Sequence, residues 1–373
     1  MKKKVILSVT NDLYTDPRVD KVCHSLLSFG FEVLLIGRKY VDSPKLPPKP
    51  YACKRFSMLF RKGALFYACF NLKLFFYLLF QQCDILVAND LDTLLPNFLV
   101  SKLRKKPLVY DSHEYFCGMS EIVNRPVVKA CWLSIERFCF PRLKHVITVC
   151  QSIADLYEEE YKLKINVVRN IPKAIPPSLS ETKASLGLPD DKVILILQGN
   201  AIHYNRGGEE LIEALPLIHK GFLLIVGAGS AIPYIKHRVK ELNIDNQVKF
   251  VDRVSPDLLF NYTYLSDIGI TFDKDNSINH RFSLPNKLFE YIRAETPFIT
   301  TDLPERRRIV ETYQVGKIIP DLAPTSIAAA VNEWIENKEM YAKVKENCTK
   351  ASPQLTWENE EKILKDLYCN LTS

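Results

Sequence analysis

The sequence lacks the signatures of several common classes of protein. Its ten cysteines are scattered singly, without a Cys-x-x-Cys pair and without zinc-ligand spacing to histidine, so neither a disulfide scaffold nor a zinc domain is indicated. We therefore expect reduced thiols, as in a cytoplasmic protein. The apolar run that follows Lys2–Lys4 stops at Asn11 and is too short for the hydrophobic region of a signal peptide, so we interpret it as a first strand.

Length and composition favour two folded domains. The chain has 373 residues, 47% of them hydrophobic, and its 13 glycines, 22 prolines and ordinary charge content argue against disorder. Residues 1–173 hold 27 Lys and Arg against 16 Asp and Glu, a balance of +11, whereas residues 174–373 hold 23 against 27, or −4. We expect only the basic first half to meet an anionic surface, and no nucleic-acid-binding module is recognisable.

Both halves of the chain show a strand–helix–strand rhythm. Val5–Thr10 predicts a strand, residues 17–29 a helix and Phe31–Ile36 the next strand, which is a βαβ unit and implies a parallel sheet. The first βα turn has no glycine fingerprint, which disfavours a dinucleotide-dependent oxidoreductase. The rhythm restarts at Lys192–Leu197, and we place a hinge in the proline-rich connector Asn170–Ser178.

Residues 54–80 combine basic and aromatic side chains in an unusual way. The apolar segment 64–80 is at the short limit for a transmembrane helix and is interrupted by Asn71 and Lys73. We favour a partly buried helix whose basic entry rests on a membrane interface, with a fully buried helix as an equal alternative. The basic residues of this entry are Lys54, Arg55, Arg61 and Lys62.

The most informative pattern lies at residues 283–302. Pro285 suits the first turn of a helix, and Phe298–Thr301 predicts a short buried strand after it. Lys287 is a cation in the first turn, where the helix dipole favours anions, but a bound phosphate would reverse that preference. Glu290 would then reach a hydroxyl beyond the phosphate. Spacing alone leaves open a solvent-exposed Lys287 paired with Glu290.

The segment Leu-Pro-Asn-Lys-Leu-Phe-Glu-Tyr at 284–291, followed by a strand and Asp-Leu-Pro-Glu305, resembles the donor-binding segment of family-4 glycosyltransferases of bacterial surface-polysaccharide type. The resemblance implies an α/β protein of the GT-B fold, with two Rossmann-like domains facing each other across a cleft. It implies an acceptor-binding domain over 1–172, a donor-binding domain over 173–355, and a terminal helix over 356–373 that crosses back onto the first domain.

The same resemblance assigns candidate site residues. It implies that the helix start bearing Lys287 and Leu288 binds the donor diphosphate and that Glu290 holds the ribose. Gly199 and Arg206 match the family's glycine turn and basic residue for the diphosphate, and Arg206 is a second cation at a predicted helix start.

Two further places in the sequence match the family. Arg253 and Val254 lie where the family's backbone contacts the nucleobase. His113, which follows a predicted strand, matches a histidine near the transferred sugar.

Asp90-Leu-Asp92 looks like the metal-binding Asp-x-Asp motif of the other large class of glycosyltransferases. Two carboxylates this close suit a divalent ion. The motif lies at a strand-to-helix turn, however, where Asp92 suits the N-cap of a helix over Thr93–Arg104, and we favour the cap. No metal site and no cofactor are therefore expected.

The resemblance implies a retaining, metal-independent hexosyltransferase. It would move a sugar from a nucleotide-sugar donor to a saccharide or lipid-linked acceptor in surface polysaccharide synthesis. The expected location is the cytoplasm, with peripheral contact at the inner face of the plasma membrane. A nucleotide-sugar 2-epimerase of the same fold and a non-catalytic nucleotide-sugar-binding protein remain alternatives, which acceptor turnover would separate from a transferase.

Overall fold

The computed structural model describes residues 2–14 and 16–371, and the chain divides into two compact units. The first unit is Met1–Asn170, Ser277–Asn279 and Glu360–Ser373, and the second is Ile171–Asn276 and His280–Asn359. The division falls two residues before the boundary expected from sequence. The assignment of Ser277–Asn279 to the first unit was not anticipated. Thr372 and Ser373, the end of the expected terminal helix, lie outside the described residues.

The first unit is built on a parallel sheet, which within the described residues has seven strands in the order β3-β2-β1-β4-β5-β6-β7. The strands are β1 (Lys4–Asp12), β2 (Glu32–Lys39), β3 (Ala52–Ser57), β4 (Ile85–Asn89), β5 (Leu108–Ser112), β6 (His145–Thr148) and β7 (Ile165–Val167). The helices are α1 (Pro17–Ser28), α2 (Gly63–Phe80), α3 (Leu91–Arg104), α4 (Ser120–Val123), α5 (Pro126–Cys139) and α6 (Gln151–Tyr161).

Local sequence explains the first βαβ unit. The side chain of Asp16 accepts a hydrogen bond from the N–H of Val19 at 3.0 Å, which caps α1, and Pro17 occupies the first helical position. Gly30 follows the helix with a φ of +93°, a conformation that glycine adopts without a steric penalty. The chain therefore turns directly into β2, which pairs with β1 in parallel register.

The second unit has a six-stranded parallel sheet within its described residues, in the order β10-β9-β8-β11-β12-β13. Its strands are β8 (Val193–Gly199), β9 (Gly221–Gly227), β10 (Val248–Val251), β11 (Ile268–Thr271), β12 (Phe298–Thr301) and β13 (Gly316–Ile319). Its helices are α7 (Gly208–Ala214), α8 (Ile232–Glu241), α9 (Pro256–Tyr264), α10 (Ile278–Arg281), α11 (Asn286–Arg293), α12 (Pro304–Tyr313), α13 (Pro324–Glu336), α14 (Lys338–Ala351) and α15 (Trp357–Asn370). The first half of α10 and most of α15 belong to the first unit.

Side chains on both faces of the second sheet are buried. Along β8, Leu195 and Leu197 join one apolar cluster, whereas Ile194 and Ile196 join another. Alternate residues of a strand point to opposite faces, so helices cover this sheet on both sides. The same burial in β4, which is fully apolar except for Asn89, explains why its sequence shows no polar alternation.

Helix α2 is attached to the first unit by one narrow stripe. Its buried side chains recur every four residues and are Phe66, Phe70, Leu74 and Leu78. Phe76 is 51% exposed and Phe80 is 78% exposed, so the alternative of a fully buried helix is wrong. By length and composition alone α2 is the one candidate membrane span among the described residues, with 22% of it buried in the protein.

The basic entry to α2 differs from the expectation. Lys54 and Arg55 lie on β3, an edge strand that sequence analysis missed, and not in the helix entry. Arg55 forms an ion pair with Asp12 at 3.0 Å, and both side chains are largely buried. The Arg55 side chain is therefore held in an ion pair within the protein, whereas Arg61 and Lys62, which precede the helix, are exposed.

Candidate functional site

A group of cations surrounds one buried carboxylate in the second unit. Asp273 follows β11 and is 1% exposed. Arg206 Nη1 lies 3.2 Å from Asp273 Oδ1, and the fully buried Arg306 of α12 donates to the other carboxylate oxygen. Arg306 also donates to Ser283 Oγ at 3.0 Å, just before α11. We call Arg206, Lys287 and Arg306 with Asp273 the cationic cluster.

Lys287 lies in the first turn of α11, and it interacts electrostatically with the rest of the cluster. Burial lowers the pKa of Lys287 to about 8; Asp273 opposes this shift, while Arg306 and Arg206 add to it. Burial would raise the pKa of Asp273, but Arg306, Lys287 and Arg206 outweigh it and hold that pKa below its usual value. Among the described residues no carboxylate forms an ion pair with Lys287 Nζ, since Asp273 pairs with Arg206 and Arg306.

The cluster carries more positive charge than its carboxylate neutralises. Three cations face one anion, and the first turn of α11 contains no acidic residue. Glu290, one turn on, pairs with Arg293 at 2.5 Å. Helix N-termini and basic side chains together form a site for a phosphate-like anion, so this arrangement is suited to bind a diphosphate.

The expected helix start near Arg206 needs correction. Helix α7 begins at Gly208, two residues after Arg206, and its first turn already holds Glu209 and Glu210, which satisfy the helix dipole. What positions Arg206 is Gly207, whose φ is +74° and whose Cα packs on the backbone of Phe272: an added Cβ would lie 2.5 Å from the Phe272 carbonyl oxygen. This close approach brings Arg206 beside Asp273.

Helix α11 also differs in detail from the sequence-based expectation. Pro285 occupies the N-cap position, and the helix begins at Asn286. Leu288 is fully buried, and its N–H already donates to the Pro285 carbonyl at 3.0 Å. Lys287 is therefore the charged side chain of this turn that is available to an anion.

The remaining predicted donor residues lie elsewhere in the second unit. Gly199 ends β8, and its carbonyl oxygen would be 1.9 Å from a Cβ added to Gly227. The ends of the two strands can therefore approach this closely only because residue 227 is a glycine. Arg253 is exposed and donates to the Asn200 carbonyl at 3.4 Å. Val254 is half-buried and packs against the apolar core. None of the three contacts the cationic cluster in an interaction that the described residues show.

In the first unit, His113 lies between two carboxylates at the ends of neighbouring strands. Asp90 Oδ1 accepts a hydrogen bond from the His113 N–H at 2.8 Å, and Asp90 Oδ2 is 3.4 Å from Nδ1. Asp111 Oδ2 is 3.7 Å from Nε2. Burial disfavours the imidazolium, but Asp90 and Asp111 outweigh it and raise the pKa of His113 to about 9. His113 is therefore a cation at neutral pH.

Asp90 and Asp92 do not have the roles predicted from sequence, in which Asp92 was the N-cap of the following helix. Helix α3 begins at Leu91, so Asp90 and not Asp92 occupies the N-cap position, and neither side chain caps the helix. Asp90 has a φ of +60°, a strained conformation for aspartate, and its carboxylate holds His113. Asp92 accepts from Thr10, and burial with the nearby charge of Asp90 raises the pKa of Asp92 to about 7. Among the described residues no three His, Cys, Asp or Glu side chains are grouped to hold a metal ion.

Sequence analysis missed the partners that support His113. Arg18 forms a buried ion pair with Asp111 at 2.9 Å and donates to the Val168 carbonyl. Burial would raise the pKa of Asp111, but Arg18 and His113 lower it to about 2. Arg18 lies in the predicted helix over residues 17–29, where nothing in the sequence distinguishes it from a solvent-exposed arginine.

The segment Ser277–Asn279 also supports the loop after β5 that carries His113, Glu114 and Tyr115. Asn279 Oδ1 accepts from the N–H of Tyr115 at 3.0 Å, and Nδ2 donates to the Tyr115 carbonyl at 3.1 Å and to Glu114 at 3.3 Å. Burial raises the pKa of Glu114 to about 7, and the charges of Asp90 and Glu121 act in the same direction. An asparagine in a polar loop gave no signal of this role.

Family comparisons match both halves of the chain. Residues 18–179 match the model described as Glycosyltransferase Family 4, and residues 180–351 match the model described as Glycosyl transferases group 1. The two matches adjoin and together span most of the sequence. The chain belongs to the group 1/family 4 glycosyltransferases. No curated protein sequence matches it.

Solved structures show the fold of this glycosyltransferase. Sucrose-phosphate synthase from Thermosynechococcus elongatus is similar with a TM-score of 0.80 at 17% identity, covering 100% of this chain and 99% of that one. Anabaena HepE in complex with UDP and glucose has a TM-score of 0.74 at 14% identity, with coverages of 99% and 100%. WaaG, a glycosyltransferase involved in lipopolysaccharide biosynthesis, has a TM-score of 0.70 at 14% identity, with coverages of 97% and 99%. The predicted GT-B class, with two Rossmann-like α/β domains, is confirmed.

Proposed function

We propose that this glycosyltransferase moves a hexosyl group from a nucleotide-sugar donor to an acceptor, with retention of configuration and without a metal or another cofactor. The observation that carries the proposal is the cationic cluster, in which Arg206, Lys287 and Arg306 exceed the charge of Asp273 by two. Anabaena HepE, which has the same fold, was solved with UDP and with UDP-glucose, and this supports a donor of that class.

The chemistry requires a stabilised leaving group. The bond between the anomeric carbon and the diphosphate oxygen breaks, the acceptor oxygen forms the new bond to that carbon, and the proton of the acceptor hydroxyl passes to the leaving diphosphate. Negative charge grows on the diphosphate as its bond breaks. Arg206, Lys287 and the N-terminus of α11 are preorganised cations and dipoles that stabilise this charge. Arg306 is fully buried, so it acts by holding Asp273 and Ser283 in place.

The other roles follow from the family resemblance. Glu290 is proposed to bind the donor ribose, the backbone at Arg253 and Val254 to lie beside the base, and Gly199 to admit the diphosphate. The charged imidazole of His113 is proposed to lie near the transferred sugar in the first, acceptor-binding domain. Asp90 then orients that imidazole.

The acceptor is proposed to be a saccharide or a lipid-linked saccharide of a surface polysaccharide, used at the cytoplasmic face of the plasma membrane. The support is the basic charge of residues 1–173 and the exposed apolar face of α2, including Phe76 and Phe80. The first domain would rest on anionic lipid as a peripheral protein.

Binding of nucleoside diphosphates tests the donor site. Calorimetry with a panel of diphosphates on the wild type, Arg206→Ala and Lys287→Ala should show losses of roughly 1.5–3 kcal/mol, because charge-assisted bonds to phosphate have that magnitude. Lys343→Ala, an exposed lysine of α14, is the matched control and should bind as the wild type does. Unchanged affinity in both site variants would contradict the proposal.

Turnover tests the rest of the proposal. With the donor that binds best, transfer to an acceptor should survive a chelator. Epimerised donor without acceptor turnover would indicate the 2-epimerase, and binding without any turnover would indicate a non-catalytic protein.

A further inference from the structure

The first unit contains a basic cavity away from His113. It has a volume of about 530 Å³ and is formed by the end of α3, the residues before β6 and the C-terminal Asn370 and Leu371. Its lining includes Leu108 and His145, where β5 and β6 begin, whereas His113 follows the opposite end of β5. The basic side chains that line this cavity are Lys102, Lys105, Lys106, Arg142, Lys144 and His145.

The cations of this basic cavity are almost unopposed. No acidic residue lines it, and Lys106 alone has a nearby carboxylate, Asp84 at 3.5 Å. Among the described residues no carboxylate pairs with the other four charged side chains. Burial and Lys144 lower the pKa of His145, so the charge comes from lysine and arginine. Like charges gathered around a cavity repel one another, and a bound anion relieves that repulsion.

An exposed aromatic side chain borders the same cavity. Phe138 of α5 is 46% exposed. The ring of Phe138 contacts Phe98, which lines the cavity, and the Arg142 guanidinium lies over Phe138 at 5.1 Å. An apolar side chain beside the cavity adds nothing to the binding of a soluble phosphate. A lipid, in contrast, presents an anionic headgroup beside an apolar chain.

Helix α3, whose end lines the cavity, also contacts the end of α2. Arg104, in the last turn of α3, donates to the Leu78 carbonyl of α2 at 3.0 Å. Helix α2 ends at Phe80, which is 78% exposed. Arg61 and Lys62 precede this helix, and the basic cavity lined by the end of α3 is a second group of cations in the first unit.

We propose that the basic cavity binds the phosphate headgroup of an anionic membrane lipid, with Phe138 against its acyl region. The inference rests on the proposed membrane contact of the first domain and deepens it. It assigns a specific lipid site to the end of α3, separate from Arg61 and Lys62 in the sequence.

Charge reversal at the cavity tests this assignment. The variant Lys102→Glu/Lys144→Glu changes two exposed lysines of the cavity, and Lys343→Glu/Lys345→Glu makes the same change of net charge on α14. Partition is measured into vesicles of phosphatidylcholine mixed with phosphatidylglycerol. Each basic residue near an anionic bilayer contributes roughly fivefold in affinity, so the cavity variant should bind at least about tenfold more weakly. The α14 variant should bind as the wild type does.

Other outcomes overturn the inference. Equal losses in the two variants would show that only net charge matters, and an unchanged cavity variant would show that the lipid lies elsewhere. Cavity-dependent binding of soluble glycerol 3-phosphate without vesicle binding would replace the lipid by a free phosphate ester. Thermal melts and nucleoside diphosphate affinity should be the same in all three proteins. If the wild-type protein does not bind nucleoside diphosphates, that result counts against the transferase proposal, independently of the vesicle measurements.

Discussion

At the scale of single residues, Arg306 has a role that its local sequence does not indicate. It stands in the run Glu305-Arg-Arg-Arg308, where sequence periodicity does not distinguish one arginine from the next. In the structure Arg306 is fully buried against Asp273, whereas Arg307 and Arg308 are each 50% exposed. A buried arginine requires a buried partner, and that partner lies 33 residues earlier, so tertiary contact alone identifies it.

The lowered pKa of Lys287 predicts how donor binding depends on pH. Lys287 is charged below about pH 8 and neutral above it, because burial destabilises its cation. A diphosphate binds the cation, so affinity should fall as pH rises through about 8, and binding should take up a proton there. Calorimetry in buffers of different ionisation enthalpy measures both effects.

Lys287→Arg is the matched variant for this prediction. Arginine stays charged throughout the range, so its diphosphate affinity should remain level where that of the wild type declines. The same decline in both proteins would assign the pH dependence to another group.

The contact between Asp90 and His113 makes a second residue-scale prediction. Asp90→Asn keeps an acceptor for the His113 N–H but removes the nearest negative charge, so the pKa of His113 should fall from about 9. Imidazole NMR signals followed through a pH titration measure this change. The signals of the exposed His219 and His237 should be unaffected by the substitution.

The same pair affects stability in a stated pH window. A raised histidine pKa contributes stability that is complete below the unfolded value of 6.5 and is lost as pH rises through about 9. Unfolding by denaturant at several pH values should therefore show a smaller loss across that window in Asp90→Asn. An identical pH dependence in the two proteins would mean that Asp90 does not hold the charge of His113.

At the scale of elements, the buried strands and the βαβ rhythm were predictable because their apolar runs and caps are local. Strand β3 was missed since it is a short edge strand with Lys54 and Arg55 in its middle, and only pairing with β2 defines it. The site shows the same limit. Arg206 and Lys287 could be selected from sequence, but Asp273, which joins them, is placed by the order of β8, β11 and β12.

The single buried stripe of α2 predicts unequal effects of two similar substitutions. Phe70 is fully buried and Phe76, on the same helix, is 51% exposed. Phe70→Ala should cost about 3–5 kcal/mol in free energy of unfolding, because it leaves a cavity, whereas Phe76→Ala should cost little. Chemical denaturation measures both values. Similar large losses would mean that the outward face of α2 is covered by protein.

At the scale of the whole molecule, charge and apolar exposure coincide in the first unit. Residues 1–173 carry +11, and α2, α3 and α5 expose Leu65, Leu103 and Val127 by 60% or more. The second half is slightly acidic. The basic charge and the exposed apolar side chains belong to the first unit and the cationic cluster to the second, so the two can be altered separately.

This division predicts salt-dependent attachment. The wild-type protein should sediment with vesicles that contain phosphatidylglycerol at low salt and should leave them at high salt, while phosphatidylcholine vesicles retain none. Each Lys or Arg near the surface contributes about 1 kcal/mol, and salt screens that term over about 10 Å at 0.1 M. Arg61→Glu/Lys62→Glu should lower the bound fraction without changing diphosphate affinity. Release by detergent alone would mean that α2 spans the bilayer, and a protein that never sediments would contradict peripheral attachment.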